Sequence, residues 1–88
     1  MPAITVGLPA ALTAPQPPRD YACDAATVGE ALRKVVAHSP QYAQRIFYGE
    51  RLLVVVTLNG KHVAPSQVRD QPLAEGDRVD VLLPVAGG

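Results

Sequence analysis

The chain has 88 residues, of which 48% are hydrophobic and 18% charged, and its eight Lys and Arg residues balance eight Asp and Glu residues. This length holds one domain with little room for a deep active site, and the composition is typical of a globular protein. The balanced charge disfavours nucleic acid or an anionic membrane as the main partner, because both attract a basic excess. The sequence has no apolar run of about 18 residues, as a membrane span requires, and its N-terminus lacks the basic region of a signal peptide.

Residues 3–8 are predicted to form the first strand, because apolar residues alternate along them. Residues 9–18 hold four prolines, which remove backbone donors and fix φ, so they are predicted to be a loop. Residues 19–23 are then predicted to be a short returning strand at an edge of the sheet.

The main helix is predicted to begin at a capping box formed by Thr27 and Glu30. Apolar residues follow at helical spacing, and the helix is expected to end near His38, before a Ser-Pro pair. Residues 41–47 are predicted to contain another short helical turn, and residues 48–50 a chain reversal.

The second half of the chain is predicted to be mostly strand. Residues 52–58 are almost uninterruptedly apolar and β-branched, which is typical of a central strand covered on both faces or nearly so. The Asn59-Gly60 pair predicts a tight hairpin returning through residues 61–63. Residues 64–72 are predicted to be a loop or one 3₁₀ turn.

A tight turn is predicted at residues 73–77, followed by a last and central strand at residues 78–83. Alternation along this strand predicts that Arg78 and Asp80 face water. Val79, Val81 and Leu83 are predicted to face the core.

This order of elements predicts an α+β domain, with a mixed four- to five-stranded sheet and one main helix packed on one face. The connection from the second strand through the helix to the third would be a right-handed crossover if those strands were parallel. We predict a folded domain over residues 1–83 and a flexible C-terminal tail over residues 84–88.

Side chains with catalytic chemistry are few and scattered. Cys23 is the only cysteine, so no internal disulfide is possible and a reducing, cytoplasmic location is expected. Cys23 could be a nucleophile or a sulfur acceptor, but free cysteines are more often small buried residues. His38 and His62 lack the spacing of a metal site, so we predict no metal site and no cofactor bound by this chain.

The C-terminal carboxylate is therefore the candidate reactive group, with Gly88 expected to be the terminus. Gly87 and Gly88 have no Cβ and could thread a narrow channel in a partner enzyme. Ala86 is nearly as thin, and Pro84 stiffens the exit from the last strand. Val85 completes this predicted threading segment.

The ending "VDVLLPVAGG", after the turn "LAEGDRV", resembles that of the MoaD/ThiS family of ubiquitin-like sulfur carriers. The resemblance includes Leu73, Gly76 and Asp77 of the turn, and it extends to the "TVGEALRKV" helix start and the Asn-Gly hairpin. It covers residues 4–88 and is weakest over residues 9–18 and 39–51.

The resemblance implies a ubiquitin-like β-grasp fold and a carrier that is not itself an enzyme. An E1-like partner, using ATP and Mg, would adenylate the Gly88 carboxylate, and a sulfur donor protein or sulfide would convert it to a thiocarboxylate. A sulfur-accepting synthase would then take the sulfur for cysteine or another sulfur-containing metabolite. We expect the free carrier to be a monomer that binds neither nucleic acid nor membranes.

Several branches of the family stay open within this resemblance, as does a role as a protein modifier. The molybdopterin branch implies a small synthase subunit, but aromatics and a double proline are typical there, where this chain has Leu82, Leu83 and Pro84. The start at Gly7-Leu8-Pro9 with its longer first loop, and the longer central segment, resemble the carriers of cysteine synthesis more. The thiamin carriers, which tend to be shorter, resemble this chain less. A protein modifier joined to target lysines is the lesser alternative, since ubiquitin-type tails carry Arg where this chain has Ala86.

The partner-binding surface is predicted beside the tail, on the last strand and the turn that precedes it. The residues proposed for it are Glu75, Asp77, Arg78, Asp80 and Leu82. An ordinary solvated strand face would have the same composition.

Overall fold

The computed structural model describes residues 1–49 and 51–84. Within them, five strands form one sheet in the order β2-β1-β7-β5-β6, and β3 and β4 pair separately. The strands are β1 (Ala3–Leu8), β2 (Arg19–Asp24), β3 (Phe47–Tyr48), β4 (Arg51–Leu52), β5 (Val55–Leu58), β6 (Lys61–Val63) and β7 (Arg78–Leu82). The helices are α1 (Ala10–Thr13), α2 (Val28–His38), α3 (Ala43–Ile46), which follows a 3₁₀ turn at Pro40–Tyr42, and α4 (Pro65–Val68).

The sheet is mixed, and its last strand is central. Strand β7 runs parallel to β1 and antiparallel to β5, while β2 and β6 are the edges of the sheet. With α2 packed on one face, this is the ubiquitin-like β-grasp fold, and the predicted fold class is confirmed. Strands β2 and β5, on either side of α2, run in the same direction in one sheet with β1 and β7 between them, so the predicted crossover does join parallel strands. Its right-handed sense stays a prediction.

Helix α2 begins as its capping box predicts. The Glu30 backbone N–H donates to Thr27 Oγ1 at 3.2 Å, and Glu30 Oε1 accepts from the Ala26 N–H at 3.4 Å. The apolar stripe of the helix then packs on the inner face of the sheet. The buried residues of this interface include Val28, Ala31, Leu32 and Val35 of α2, and Ile4, Val6, Val56, Val79 and Val81 of the strands.

The prediction of a plain loop at residues 9–18 is wrong for residues 10–13, which form α1. Leu12, on this helix, is fully buried, and the Thr13 N–H donates to the Pro9 carbonyl at 3.0 Å. Burial of one leucine side chain contributes about 1.5–3 kcal/mol. Tertiary packing therefore stabilises a turn of helix that the flanking prolines do not signal.

The single strand predicted over residues 52–58 is also wrong. The chain forms β4, leaves the strand at Leu53, whose N–H donates to the Ile46 carbonyl at 2.8 Å, and then forms β5. Only Val56 of β5 is fully buried, so the strand is covered on one face. The run is apolar because Leu52 and Val54 also pack against the core.

Two smaller corrections concern residues 64–72 and Leu83. Residues Pro65–Val68 form α4, a short helix with proline in its first turn and Val68 buried. Leu83 lies beyond the end of β7 and is 37% exposed instead of facing the core. The Asn59-Gly60 hairpin is confirmed, with φ values of 51° and 85° that suit the mirror-image turn joining two twisted strands.

Candidate functional site

Strand β7 has one side buried in the core and the other on an exposed face of the sheet. Val79 and Val81 are buried under α2, and their neighbours Arg78, Asp80 and Leu82 point to the opposite side because strand residues alternate. We call this side the open face and define it by Arg78, Asp80 and Leu82 of β7, Gly7 of β1 and Asp20 of β2. The structure thus brings together three of the residues that were predicted to bind a partner.

An ionic network crosses the open face. Arg78 forms a two-pronged pair with Asp20, through Nη2 to Oδ1 at 2.9 Å and Nη1 to Oδ2 at 3.2 Å. Its Nε donates to Asp80 at 3.1 and 3.2 Å. The hydrogen bond from Arg78 lowers the pKa of Asp20, and the bonds to Asp20 and then Asp80 raise the pKa of Arg78. The network joins β7 to β2 across β1 and carries one net negative charge.

Gly7 provides the space for this network. A Cβ at Gly7 would lie 2.5 Å from Arg78 Nη2 and closer still to Asp80 Oδ1. The guanidinium and the carboxylate therefore lie directly over the β1 backbone. The open face is flat at this point because β1 has no side chain there.

Glu75 and Asp77, the other two predicted partner-binding residues, make hydrogen bonds within the chain. Asp77 accepts from the Ala74 N–H at 2.8 Å and from Asn59 Nδ2 at 3.0 Å. The Asn59 bond, followed by the Ala74 bond, lowers the pKa of Asp77. Glu75 Oε1 accepts from the Ala3 N–H at 2.8 Å. Both carboxylates stabilise the turn at the start of β7. This turn is about 15 Å along the strand from the other end of β7, where the chain leaves the sheet.

The end of β7 presents apolar surface next to an open cleft. Leu82 is 44% exposed, and it pairs with half-buried Val55 of β5. The cleft has a volume of about 370 Å³. One side is the β1–β2 connection, which contributes Pro9 and Pro18, and the other side is β7, which contributes Leu82. Pro84, which follows this strand, is exposed. The other four predicted tail residues, Val85, Ala86, Gly87 and Gly88, lie outside the described residues.

Cys23 lies on edge strand β2, away from this cleft. It is half-buried, and burial raises the pKa of its thiol. His38 packs against Tyr21 with ring centroids 5.0 Å apart, while His62 is exposed on β6. Over the described residues, no group of three or more His, Cys, Asp or Glu could hold a metal ion. In the same part of the chain, every helix is too short or too polar to cross a membrane.

Sequence reasoning missed Gly7 and Asp20, which complete the open face. Both could have been found from the register of the first hairpin, in which Gly7 lies opposite Asp20. The β1–β7 pairing then places Gly7 beside Asp80. The arrangement is a flat, partly apolar surface next to the point where the chain leaves the sheet.

Comparison with known proteins agrees with this geometry. The model of the ThiS family matches residues 15–88, whereas no curated protein sequence matches the chain. SAMP1 from Haloferax volcanii is 28% identical, with 98% of this chain and 99% of that chain covered and a TM-score of 0.76. A chain of the Amycolatopsis orientalis BexX/CysO complex is 26% identical, with 98% and 100% covered and a TM-score of 0.77.

A third structure bears on the fold alone. A chain in the complex of subunits 1 and 2 of molybdopterin-converting factor from Helicobacter pylori 26695 is 20% identical, with 98% of this chain and 99% of that chain covered and a TM-score of 0.65.

The family model includes the turn at Glu75 and Asp77, strand β7 and the segment up to residue 88. The chain belongs to the ThiS family of small ubiquitin-like sulfur carriers and modifiers.

Proposed function

We propose that the chain is a cytoplasmic sulfur carrier whose Gly88 carboxylate is converted to a thiocarboxylate and donates sulfur in the biosynthesis of cysteine or another sulfur-containing metabolite. One observation carries the proposal. The central strand β7 is held by both neighbours and leads through exposed Pro84 into a segment that ends in two glycines and lies within the family match.

The chemistry takes place in partner proteins. A carboxylate oxygen of Gly88 attacks the α-phosphorus of ATP in an E1-like enzyme, pyrophosphate leaves, and an acyl-adenylate forms. Sulfide then attacks the acyl carbon and displaces AMP, which leaves the thiocarboxylate. If a persulfide attacks instead, a thiol must reduce the resulting acyl disulfide to release it. The carrier is a co-substrate, and the ATP and Mg belong to the activating enzyme.

The open face is proposed to dock the activating enzyme. Leu82 offers apolar area at the end of β7, and the Arg78–Asp20–Asp80 network offers fixed charges beside it. Burying an exposed apolar side chain is favourable, and fixed charges on the rim select the partner and its orientation. Glu75 and Asp77 would contribute by holding the turn from which β7 starts.

ATP–pyrophosphate exchange by the E1-like enzyme tests this function. Deleting Gly88 should abolish exchange while leaving the unfolding transition unchanged, since a terminal residue contributes little stability. Leu82→Asp should raise the KM for the carrier at least about tenfold, as expected for loss of a buried apolar contact. Tyr48→Asp is the matched control, because Tyr48 is also a large exposed apolar residue, on β3. Equal effects of the two substitutions would reject the open face as the docking site.

A protein modifier is the second candidate. It is favoured by the 28% identity to Haloferax volcanii SAMP1, a small archaeal modifier protein. Modification would join the Gly88 acyl group to a lysine amine of a target, with AMP or a thiol as leaving group. Conjugates of higher mass that depend on Gly88 would support this role, and an accumulating thiocarboxylate would support the carrier.

A further inference from the structure

A second groove lies on the helix side of the sheet, apart from the open face. It has a volume of about 560 Å³ and lies where α2, α4 and the β3–β4 hairpin meet. Phe47, Leu52 and Val68 provide its apolar lining, and Arg33 and Arg69 are its charged members. Phe47 and Leu52 are half-buried against the core and Val68 belongs to it, so the groove is a depression in the packed domain.

Among the described residues that line the groove, both charged ones are arginines. Arg33 and Arg69 are both exposed, and no acidic residue of the described chain lines the groove. The ion pairs among the described residues join Lys34 to Glu30, and Arg78 to Asp20 and Asp80. In a chain whose charges balance overall, these two arginines place two positive charges on the described lining of the groove.

Close packing fixes the backbone positions from which the two arginines extend. A Cβ at Gly29 would lie 2.6 Å from the carbonyl oxygen of Arg69, so α2 and the end of α4 touch through their main chains. Arg33 lies one turn after Gly29 on the same helix face. The two arginines therefore extend from neighbouring elements whose backbones are fixed relative to each other, and this reduces the backbone ordering that binding requires.

We propose that this groove binds an acidic segment of a partner protein that carries one aromatic or branched apolar side chain. The apolar side chain would lie on Phe47, Leu52 and Val68, and flanking carboxylates would pair with Arg33 and Arg69. Arginine binds carboxylates through two parallel hydrogen bonds and stacks on aromatic rings. Because the groove is on the helix side, it can be occupied while the open face binds another protein. The inference does not depend on the chemistry of the tail.

The test is an NMR titration of the ¹⁵N-labelled full chain. The probe is a hexapeptide with one phenylalanine flanked by aspartate and glutamate, and the control peptide has lysine at every acidic position. We expect saturable amide shifts centred on Gly29, Arg33, Phe47, Leu52 and Val68 with the acidic peptide only. Shifts that map to the open face, shifts that do not saturate, or equal binding of the lysine peptide would overturn the proposal.

Charge reversals identify the contacts. Arg33→Glu and Arg69→Glu should each weaken binding several-fold, and together at least about tenfold, as expected for loss of two exposed ion pairs. Lys61→Glu, on strand β6, makes the same change of charge on an exposed residue outside the groove and should bind like the unmodified chain. If Lys61→Glu weakens binding as much as Arg33→Glu, the attraction is non-specific and the proposal fails.

Discussion

Gly29→Ala should destabilise the domain, although alanine is the better helix former. Gly29 is the second residue of α2 and is buried. The added Cβ would meet the Arg69 carbonyl oxygen at 2.6 Å, its Cα at 2.9 Å and its carbonyl carbon at 3.1 Å. All three are backbone atoms of the segment after α4, so no side-chain rotation can relieve the contact.

The expected magnitude is the difference between two opposing effects. Replacing glycine by alanine inside a helix stabilises by up to about 1 kcal/mol, and less in the first turn. Overpacking a rigid contact costs about 1–3 kcal/mol. We expect a net loss of about 1–2 kcal/mol in the free energy of unfolding, which corresponds to a fall in Tm of roughly 4–15 °C for a domain of this size.

Urea unfolding followed by far-UV circular dichroism measures this loss as a lower midpoint. Gly7→Ala is the matched control, because the three atoms nearest to its Cβ would be ends of the Arg78 and Asp80 side chains. These ends can rotate into solvent, which costs only exposed ion pairs, and replacing a strand glycine reduces unfolded-chain entropy. Gly7→Ala should therefore destabilise less than Gly29→Ala. An unchanged or higher midpoint for Gly29→Ala would refute close packing of α2 on the residues after α4.

Three further predictions concern capping, pH and thiol reactivity. Thr27→Ala removes the side chain that accepts from the Glu30 N–H and should cost about 1 kcal/mol of stability by urea unfolding; an unchanged midpoint would contradict this capping role. Hydrogen bonds lower the folded-state pKa of Asp20 and Asp77 below the unfolded value of about 4. The two ionised carboxylates therefore stabilise the fold above that unfolded pKa, and this stabilisation is lost as the pH falls through the lower folded-state pKa. Stability should therefore decrease on acidification, and a smaller decrease is expected for Asp77→Asn; an equal decrease in the variant would argue against that carboxylate. Burial raises the pKa of Cys23, so iodoacetamide should alkylate the folded chain more slowly than the urea-unfolded chain at mildly alkaline pH, and equal rates would contradict its burial.

The sequence predicts those parts of the fold that depend on local periodicity. Alternation identifies β1 and β7, and the Thr27-Glu30 capping box identifies the start of α2. The Asn59-Gly60 pair identifies the β5–β6 hairpin. In each case the local signal and the tertiary environment favour the same conformation.

The remaining elements depend on contacts between distant segments. Helix α1 has only four residues, and burial of Leu12 stabilises it, together with the bond from Arg45 Nη1 to the Leu12 carbonyl at 2.8 Å. The apolar run after residue 51 divides because the Leu53 N–H pairs with the Ile46 carbonyl. The residues of α1 have no periodicity that distinguishes a helix from a loop. The apolar run after residue 51 has none that distinguishes two strands from one continuous strand.

The candidate site likewise combines features that the sequence predicts locally with features that depend on distant contacts. Alternation along β7 is enough to place Arg78, Asp80 and Leu82 on one face of the strand. The pairing of Arg78 with Asp20 joins residues 58 positions apart and follows from the parallel β1–β7 register. The intramolecular bonds of Glu75 and Asp77 likewise require the turn to lie against Ala3 and Asn59.

The central claim is that Gly88 carries the sulfur as a thiocarboxylate. The most direct test is the intact mass of the full chain after incubation with ATP, Mg, sulfide and the E1-like enzyme of the same organism. We predict a mass increase equal to one oxygen replaced by one sulfur, found in the C-terminal peptide and absent when Gly88 is deleted. An unchanged mass with an enzyme that adenylates the chain, or the same increase after deletion of Gly88, would contradict the account.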